Sequence, residues 1–159
     1  AKDKANPNLM DETSASAIAA WVNSGGTLLL MANDSFNCDL SHFNILAGKF
    51  GMLFTNVSRN MVKNDIYEQG LVMSGSNKVF NGNYKMFLKE LSTLTLQRPA
   101  KPVIVKDGEV LIATAKYGKG KVIAVGDPWL YNEYVEGRKL PAEYQNILAA
   151  QQLAKWLLK

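Results

Sequence analysis

Apolar and polar positions follow two rhythms along this chain, and the switches between them mark out its elements. In ETSASAIAAWVN (12–23), Ala15, Ile18, Ala19 and Val22 recur at helical spacing. Asp11 stands where an N-cap belongs, and Ser24-Gly25-Gly26 stops the run. TLLLMA (27–32) is a continuous apolar run of strand length, the pattern of a strand covered on both faces. NDSFNCD (33–39) is a polar loop at its exit. LSHFNILAGKFG (40–51) returns to helical spacing, with Leu40, Phe43, Leu46, Ala47 and Phe50 on one side and Gly51 at the end. MLFTNV (52–57) predicts another short strand.

Residues 58–83 lose both rhythms. Asn64-Asp65, Gly70, Gly75 and Asn81-Gly82 break them, which predicts irregular structure with one short strand near QGLVMS (69–74). NYKMFLKEL (83–91) predicts a turn of helix, and STLTLQ (92–97) alternates as a strand. The segment 101–126 is the clearest. Three apolar runs are parted by Lys106-Asp107-Gly108-Glu109 and Tyr117-Gly118-Lys119-Gly120, which predicts an antiparallel meander. PAEYQNILAAQQLAKWLLK (141–159) predicts a closing helix, with Pro141 in its first turn and Ile147, Ala150, Leu153, Ala154 and Leu157 as its buried stripe. Residues 1–10 read as a flexible lead-in and 11–159 as a single α/β domain, a mixed sheet with helices on each side. A doubly wound domain opens on a strand and this one opens on a helix. The chain therefore reads as a fragment lacking its opening strands.

Composition narrows the classes. A chain of 159 residues suits one domain with one substantial core. With 47% hydrophobic and 20% charged residues it is ordinary for a soluble globular domain. No apolar run approaches the roughly 20 residues that span a bilayer, and residues 1–10 carry no apolar signal-peptide core. The net charge is only +4. Its most compact basic piece, KYGKGK (116–121), reads as a solvated turn, since a nucleic-acid binder shows a stronger basic face with interleaved aromatics. Neither nucleic acid nor membrane is an expected partner. With Cys38 and His42 as the only Cys and the only His, an intrachain disulfide is impossible and no tetrahedral zinc site is expected. Neither a metal nor a cofactor is indicated.

Three stretches invite a chemical reading. Cys38 and His42 are four residues apart, so a nucleophile pair is conceivable. A nucleophile elbow wants a sharp, glycine-flanked turn, however, and Cys38 lies between Asn37 and Asp39. Local packing is the favoured reading. GKGK (118–121) suggests a phosphate loop, but the glycines fall between two strands and no Ser or Thr follows, so that reading fails. Asn33, Asp34 and Asn37 follow the first strand, and Asp127 follows the last. If those strands are parallel neighbours, both loops border the crevice at the carboxyl ends where α/β sheets bind ligands. Asx turns, and Asp127 capping a helix that starts at Pro128, are the structural alternative. Trp129, Tyr131, Asn132, Glu133, Tyr134 and Arg138 complete the cluster. Rings, an amide and an acid suit a sugar contact, with Trp129 or Tyr131 at the crevice rim; the same set suits an interface between domains.

AIAAWVNSGGTLLLMAND, LSHFNILAGKFGMLF, AKYGKGKVIAVGDPWLYNEY and YQNILAAQQLAKWLLK, in that order, resemble the class I glutamine-amidotransferase-like superfamily. More closely, PAKP, AKYGKGKV, GDPWLYNEYVEGRKLP and AAQQLAKWLL resemble the C-terminal domain attached to unsaturated rhamnogalacturonyl hydrolases of Bacteroides-type bacteria. The resemblance runs from about residue 6 to the end, and GDPWLYNEY is its most specific part. It implies a flavodoxin-like, three-layer α/β sandwich with a mixed, mostly parallel sheet. It also implies a noncatalytic accessory domain in rhamnogalacturonan (pectin) degradation, periplasmic or secreted. That domain would pack on a catalytic (α/α)6 barrel or help to hold an acidic oligosaccharide. The barrel's catalytic residues are not in this sequence, and the Cys-His-Glu triad of the amidotransferases lacks its elbow here. No catalytic residue is therefore carried over. The ligand-binding candidates are Asn33, Asp34, Asn37, Asp127, Trp129, Tyr131, Asn132, Glu133 and Arg138. The alternative is a freestanding amidase or hydrolase using Cys38 and His42.

Overall fold

The computed structural model describes residues 7–129, 134–135 and 139–159. In chain order the elements are α1 (Glu12–Asn23), β1 (Thr27–Met31), α2 (Leu40–Gly48), β2 (Met52–Phe54), β3 (Leu71–Met73), β4 (Lys85–Phe87), β5 (Leu94–Leu96), β6 (Lys101–Lys106), β7 (Glu109–Tyr117), β8 (Gly120–Val125) and α3 (Asn146–Leu157). Asp11 caps α1 as expected, accepting from the Ser14 N–H at 2.6 Å, and Asp39, read from sequence only as a loop residue, caps α2 by accepting from the His42 N–H at 3.2 Å. Gly51 leaves α2 at φ +75, and a Cβ there would meet the Gln97 carbonyl at 2.4 Å, so only glycine fits.

The main sheet runs β1-β8-β7-β5-β2, with β6 on the other edge of β7. β1 and β8 are parallel; β8, β6 and β5 all meet β7 antiparallel, as β2 meets β5. Val110 of β7 pairs with both Val105 of β6 and Leu94 of β5, while β8 pairs only from Ile112 onward. One edge of β7 thus carries β5 first and β8 afterwards, and the sheet branches where β8 ends. Gly126 sits at that branch point. Its carbonyl accepts from the Ser92 N–H, and a Cβ there would stand 1.9 Å from the Ser92 carbonyl oxygen.

This corrects the expected class. The fold is β-rich and largely antiparallel, not a flavodoxin-like sandwich with a mostly parallel sheet. Parallel neighbours need a crossover between them. Here the hairpins at Asp107-Gly108 and Gly118-Lys119 bring β6, β7 and β8 together without one, and the β5–β2 arm continues the sheet antiparallel. The apolar run of β1 signalled coverage of both faces correctly, and coverage says nothing of strand direction.

Two cores lie on opposite faces. Ala15, Ala19 and Val22 of α1 and Leu46 and Ala47 of α2 pack with Ala113, Ala115, Val122 and Ala124 on one face. Ala149 and Leu153 of α3 pack with Phe80, Met86, Leu88, Ile112, Ile123 and Trp129 on the other. The stripe of α3 is rotated from the expected one: Leu153 is buried and Ala150 and Leu157 pack on the core as expected, but Asn146 and Ala149 are buried and Ile147 is 44% exposed. The helix also starts at Asn146 rather than near Pro141. The cause is polar: the Asn146 amide donates to the Phe87 carbonyl at 2.9 Å and accepts from its N–H at 2.8 Å, which fixes which face turns inward. That bond pair also explains why 85–87 is a strand and not the expected helical turn. β4 pairs with β3, and Asn146 serves its backbone at Phe87.

Asn44 of α2 does the same for β2 at the end of the sheet, donating to the Phe54 carbonyl and accepting from its N–H, both at 2.8 Å. Edge backbone otherwise invites pairing with foreign strands. Asn44→Ala is expected to cost about 1–3 kcal/mol in urea unfolding, the penalty of orphaning partly buried amide groups.

Candidate functional site

β1 and β8 are parallel neighbours, Thr27 opposite Lys121 through Met31 opposite Val125, so their carboxyl ends do share one side of the sheet. The turn Lys89-Glu90 lies over that side. The Asp34 N–H donates to the Glu90 carbonyl at 3.0 Å, and Asp127 Oδ2 accepts from the Lys89 N–H at 2.7 Å. The turn is held in turn by residues 59–60: the Glu90 N–H donates to the Asn60 carbonyl, Arg59 and Leu91 exchange backbone bonds, and Asn60 Nδ2 donates to the Leu88 carbonyl. The crevice expected to take a ligand is thus filled by the segment that feeds β5.

Asp34 is buried, and its carboxylate is spent internally. Oδ1 accepts from Asn37 Nδ2 at 2.8 Å, and Oδ2 accepts from the Ser58 hydroxyl at 2.5 Å. The Asn37 and Cys38 N–H groups both donate to the Asp34 carbonyl. The result is a tight turn that displays Phe36, 83% exposed; Ser58 Oγ, which donates to Asp34, also lies 2.9 Å from the Met61 sulfur. Asn33 closes the network through its side-chain oxygen on the Asp34 N–H.

Asp127 is also buried, and burial pushes its carboxyl up to about 7. The Lys89 N–H and the Lys89 charge pull it down less strongly, and Glu90 adds a smaller upward push. Such an acid is a functional-site signal in an open cleft; here it lies beneath a turn it helps to hold. The helix that Asp127 is expected to cap, starting at Pro128, runs into residues outside the described ones. Trp129 is not at a rim. It is fully buried in the α3-side core. Tyr131, Asn132, Glu133 and Arg138 lie outside the described residues. Tyr134 packs on Phe87 with ring centroids 4.8 Å apart.

Cys38 packs against the α1–α2 core, and no hydrogen bond joins it to His42 among the described residues. His42 Nδ1 instead meets Asp39 Oδ2 at 2.6 Å. That contact and the His42 N–H, the larger cause, hold the Asp39 carboxyl below the usual range. No cluster of three or more His, Cys, Asp or Glu that could hold a metal ion occurs among the described residues, nor is any helix there long and apolar enough to cross a membrane.

The opposite, amino end of β1 and β8 holds what the sequence reading missed, a cavity of about 300 Å³. Strand alternation explains it. Thr114 and Lys116 of β7, Lys121 of β8 and Thr27 of β1 all project toward the face that α3 covers. The small residues Gly25 and Gly120 leave room there, beside Trp156 near the end of α3. Gly120 must be glycine for a further reason: a Cβ would stand 2.1 Å from the Val22 carbonyl oxygen. KYGKGK is therefore a hairpin turn, as expected, but its lysines border a concavity rather than open solvent. The readable signal was the phase of Thr114, Lys116 and Lys121 across the hairpin. Lys78 and Trp156 join from distant parts of the chain.

No protein-family model and no curated protein sequence matches the chain. Solved structures do match in shape. The mmIFT52 N-terminal domain superposes with a TM-score of 0.73 at 17% identity, over 94% of this chain and 72% of that one. The cold-adapted β-galactosidase of Rahnella sp. R3 gives 0.58 at 18%, over 91% of this chain and 20% of that one. The exo-β-1,4-mannosidase Op5Man5 of an Opitutaceae bacterium, strain TAV5, gives 0.54 at 16%, over 91% and 22%. The chain thus shares its fold with the mmIFT52 domain and with about a fifth of each of two glycosidase chains.

Proposed function

We propose that the chain is a noncatalytic accessory domain of an unsaturated rhamnogalacturonyl hydrolase, packing on the catalytic (α/α)6 barrel or helping it to hold carbohydrate. The observation that carries this reading is the filled crevice. Where an α/β sheet presents reactive groups, this chain has Asp34 and Asp127 anchoring its own turns. Phe36, in the turn built on Asp34, is 83% exposed and Met61 is 48% exposed, which suits burial against a neighbouring domain. Shared fold with parts of glycosidase chains supports a carbohydrate context, and the resemblance of GDPWLYNEYVEGRKLP supports the narrower family. The amidase alternative has less support, because Cys38 packs on the α1–α2 core and makes no hydrogen bond to His42 among the described residues.

The test is direct assay of the chain on unsaturated rhamnogalacturonan disaccharides and on glutamine. No turnover is expected on either. Turnover lost in Cys38→Ala would establish the amidase reading instead, and turnover retained in that variant would establish a different catalytic site.

A further inference from the structure

The lysine-bordered cavity at the amino end of β1 and β8 carries three features that an anion would relieve further. Lys116 and Lys121 are directly opposite each other across the β7–β8 hairpin, a like-charge pair that destabilises a sheet. Lys121 turns away, its Nζ donating to the Trp156 carbonyl at 2.6 Å and lying 4.6 Å from the centre of that indole ring. Lys78 is held below the usual lysine range by partial desolvation and then by the charge of Lys101. Finally, Thr114 lines the cavity and is 2% exposed, and its buried hydroxyl has no hydrogen-bond partner among the described residues. An orphaned buried hydroxyl costs roughly 1–3 kcal/mol.

One kind of ligand relieves all three. No Asp or Glu lines the cavity, and Lys78, Lys116, Lys119 and Lys159 make no ion pair among the described residues. An oxyanion would accept from Thr114 and from the free ammonium groups, and its charge would offset the lysine repulsion. The indole of Trp156, with Lys121 Nζ over its ring, supplies a flat wall with a cation beside it, of the sort that an acidic sugar ring covers, and the volume is at the small end of ligand pockets. We infer that this cavity binds an anionic sugar, its carboxylate or phosphate held by Thr114, Lys116 and Lys119 and its ring set against Trp156. The site goes beyond the accessory role and stands whether or not the domain belongs to a hydrolase.

Titration calorimetry of the chain with galacturonate, galactose 6-phosphate, galactose and inorganic phosphate tests it. Galacturonate or the sugar phosphate is expected to bind, weakening as salt rises, and galactose is not; whichever binds identifies the anion. Thr114→Val is the decisive variant. It removes an unpartnered hydroxyl at constant shape, so Tm is expected to hold or rise. Affinity is expected to fall by about tenfold or more, the scale of one lost charge-assisted hydrogen bond. Lys116→Gln with Lys119→Gln is expected to weaken binding at least as much. Binding of inorganic phosphate alone, equal binding of galactose, no binding by any of the four, or full affinity in Thr114→Val would each overturn the assignment.

Discussion

Trp129→Ala is expected to lower the free energy of unfolding by about 3–5 kcal/mol, a large share of the roughly 5–15 kcal/mol that a domain possesses. Trp129 is the largest fully buried side chain, packed in the α3-side core with Phe80, Met86, Leu88, Leu91, Ile112 and Ile123. Truncation removes the transfer energy of the ring and leaves a void between β8 and α3 that neighbours fixed by strand pairing fill only partly. A Trp at a ligand rim behaves differently, losing binding while the unfolding midpoint holds. Urea unfolding separates the two cases. An unchanged midpoint in Trp129→Ala would mean that the residue is not core.

The second large effect is a pH dependence set by Asp127. Burial, the largest cause, raises its carboxyl from 3.8 to about 7 in the folded chain. In the unfolded chain it ionises near 3.8, so between these values unfolding releases a proton. Its contribution to stability is therefore complete below the unfolded value. It declines by about 1.4 kcal/mol per pH unit as pH rises, and is gone above about pH 7. The whole swing is on the order of a few kcal/mol. Asp11, Asp39, Glu109 and Glu143 are shifted downward and act at lower pH in the opposite sense, losing stability as pH falls. Asp127→Asn keeps an oxygen for the Lys89 N–H and cannot ionise. Its unfolding midpoint is expected to lack this decline and to exceed that of the native chain above about pH 7. Parallel pH profiles for the two proteins would refute the buried-acid assignment.

The helices α1 and α2 and the β6–β7–β8 meander were legible because their signals are local: the Asp11 cap, glycine stops, helical spacing and an Asp-Gly turn. Direction and partner were not. TLLLMA reports that both faces of β1 are covered, which parallel and antiparallel neighbours satisfy equally, so the mostly parallel sheet was an expectation from resemblance that the register overturned. The face of α3 was misread because Asn146 looks like a surface amide. Only its partner Phe87, far away in sequence, makes it the buried anchor. The crevice residues were located correctly relative to β1 and β8, yet nothing local to them shows that Lys89-Glu90 would occupy the space. The cavity lysines were readable as a turn, and their second role needed Thr114, Lys78 and Trp156 brought together by the fold.

Amide chemical-shift mapping during titration with galacturonate oligosaccharides bears most directly on which end of the sheet meets a ligand. Perturbations are expected at Lys78, Thr114, Lys116, Lys119 and Trp156, with Asn33, Asp34, Asn37 and Asp127 unmoved. Shifts concentrated at Asp34 and Asp127, with the lysine cavity silent, would contradict the account of a crevice closed by its own chain.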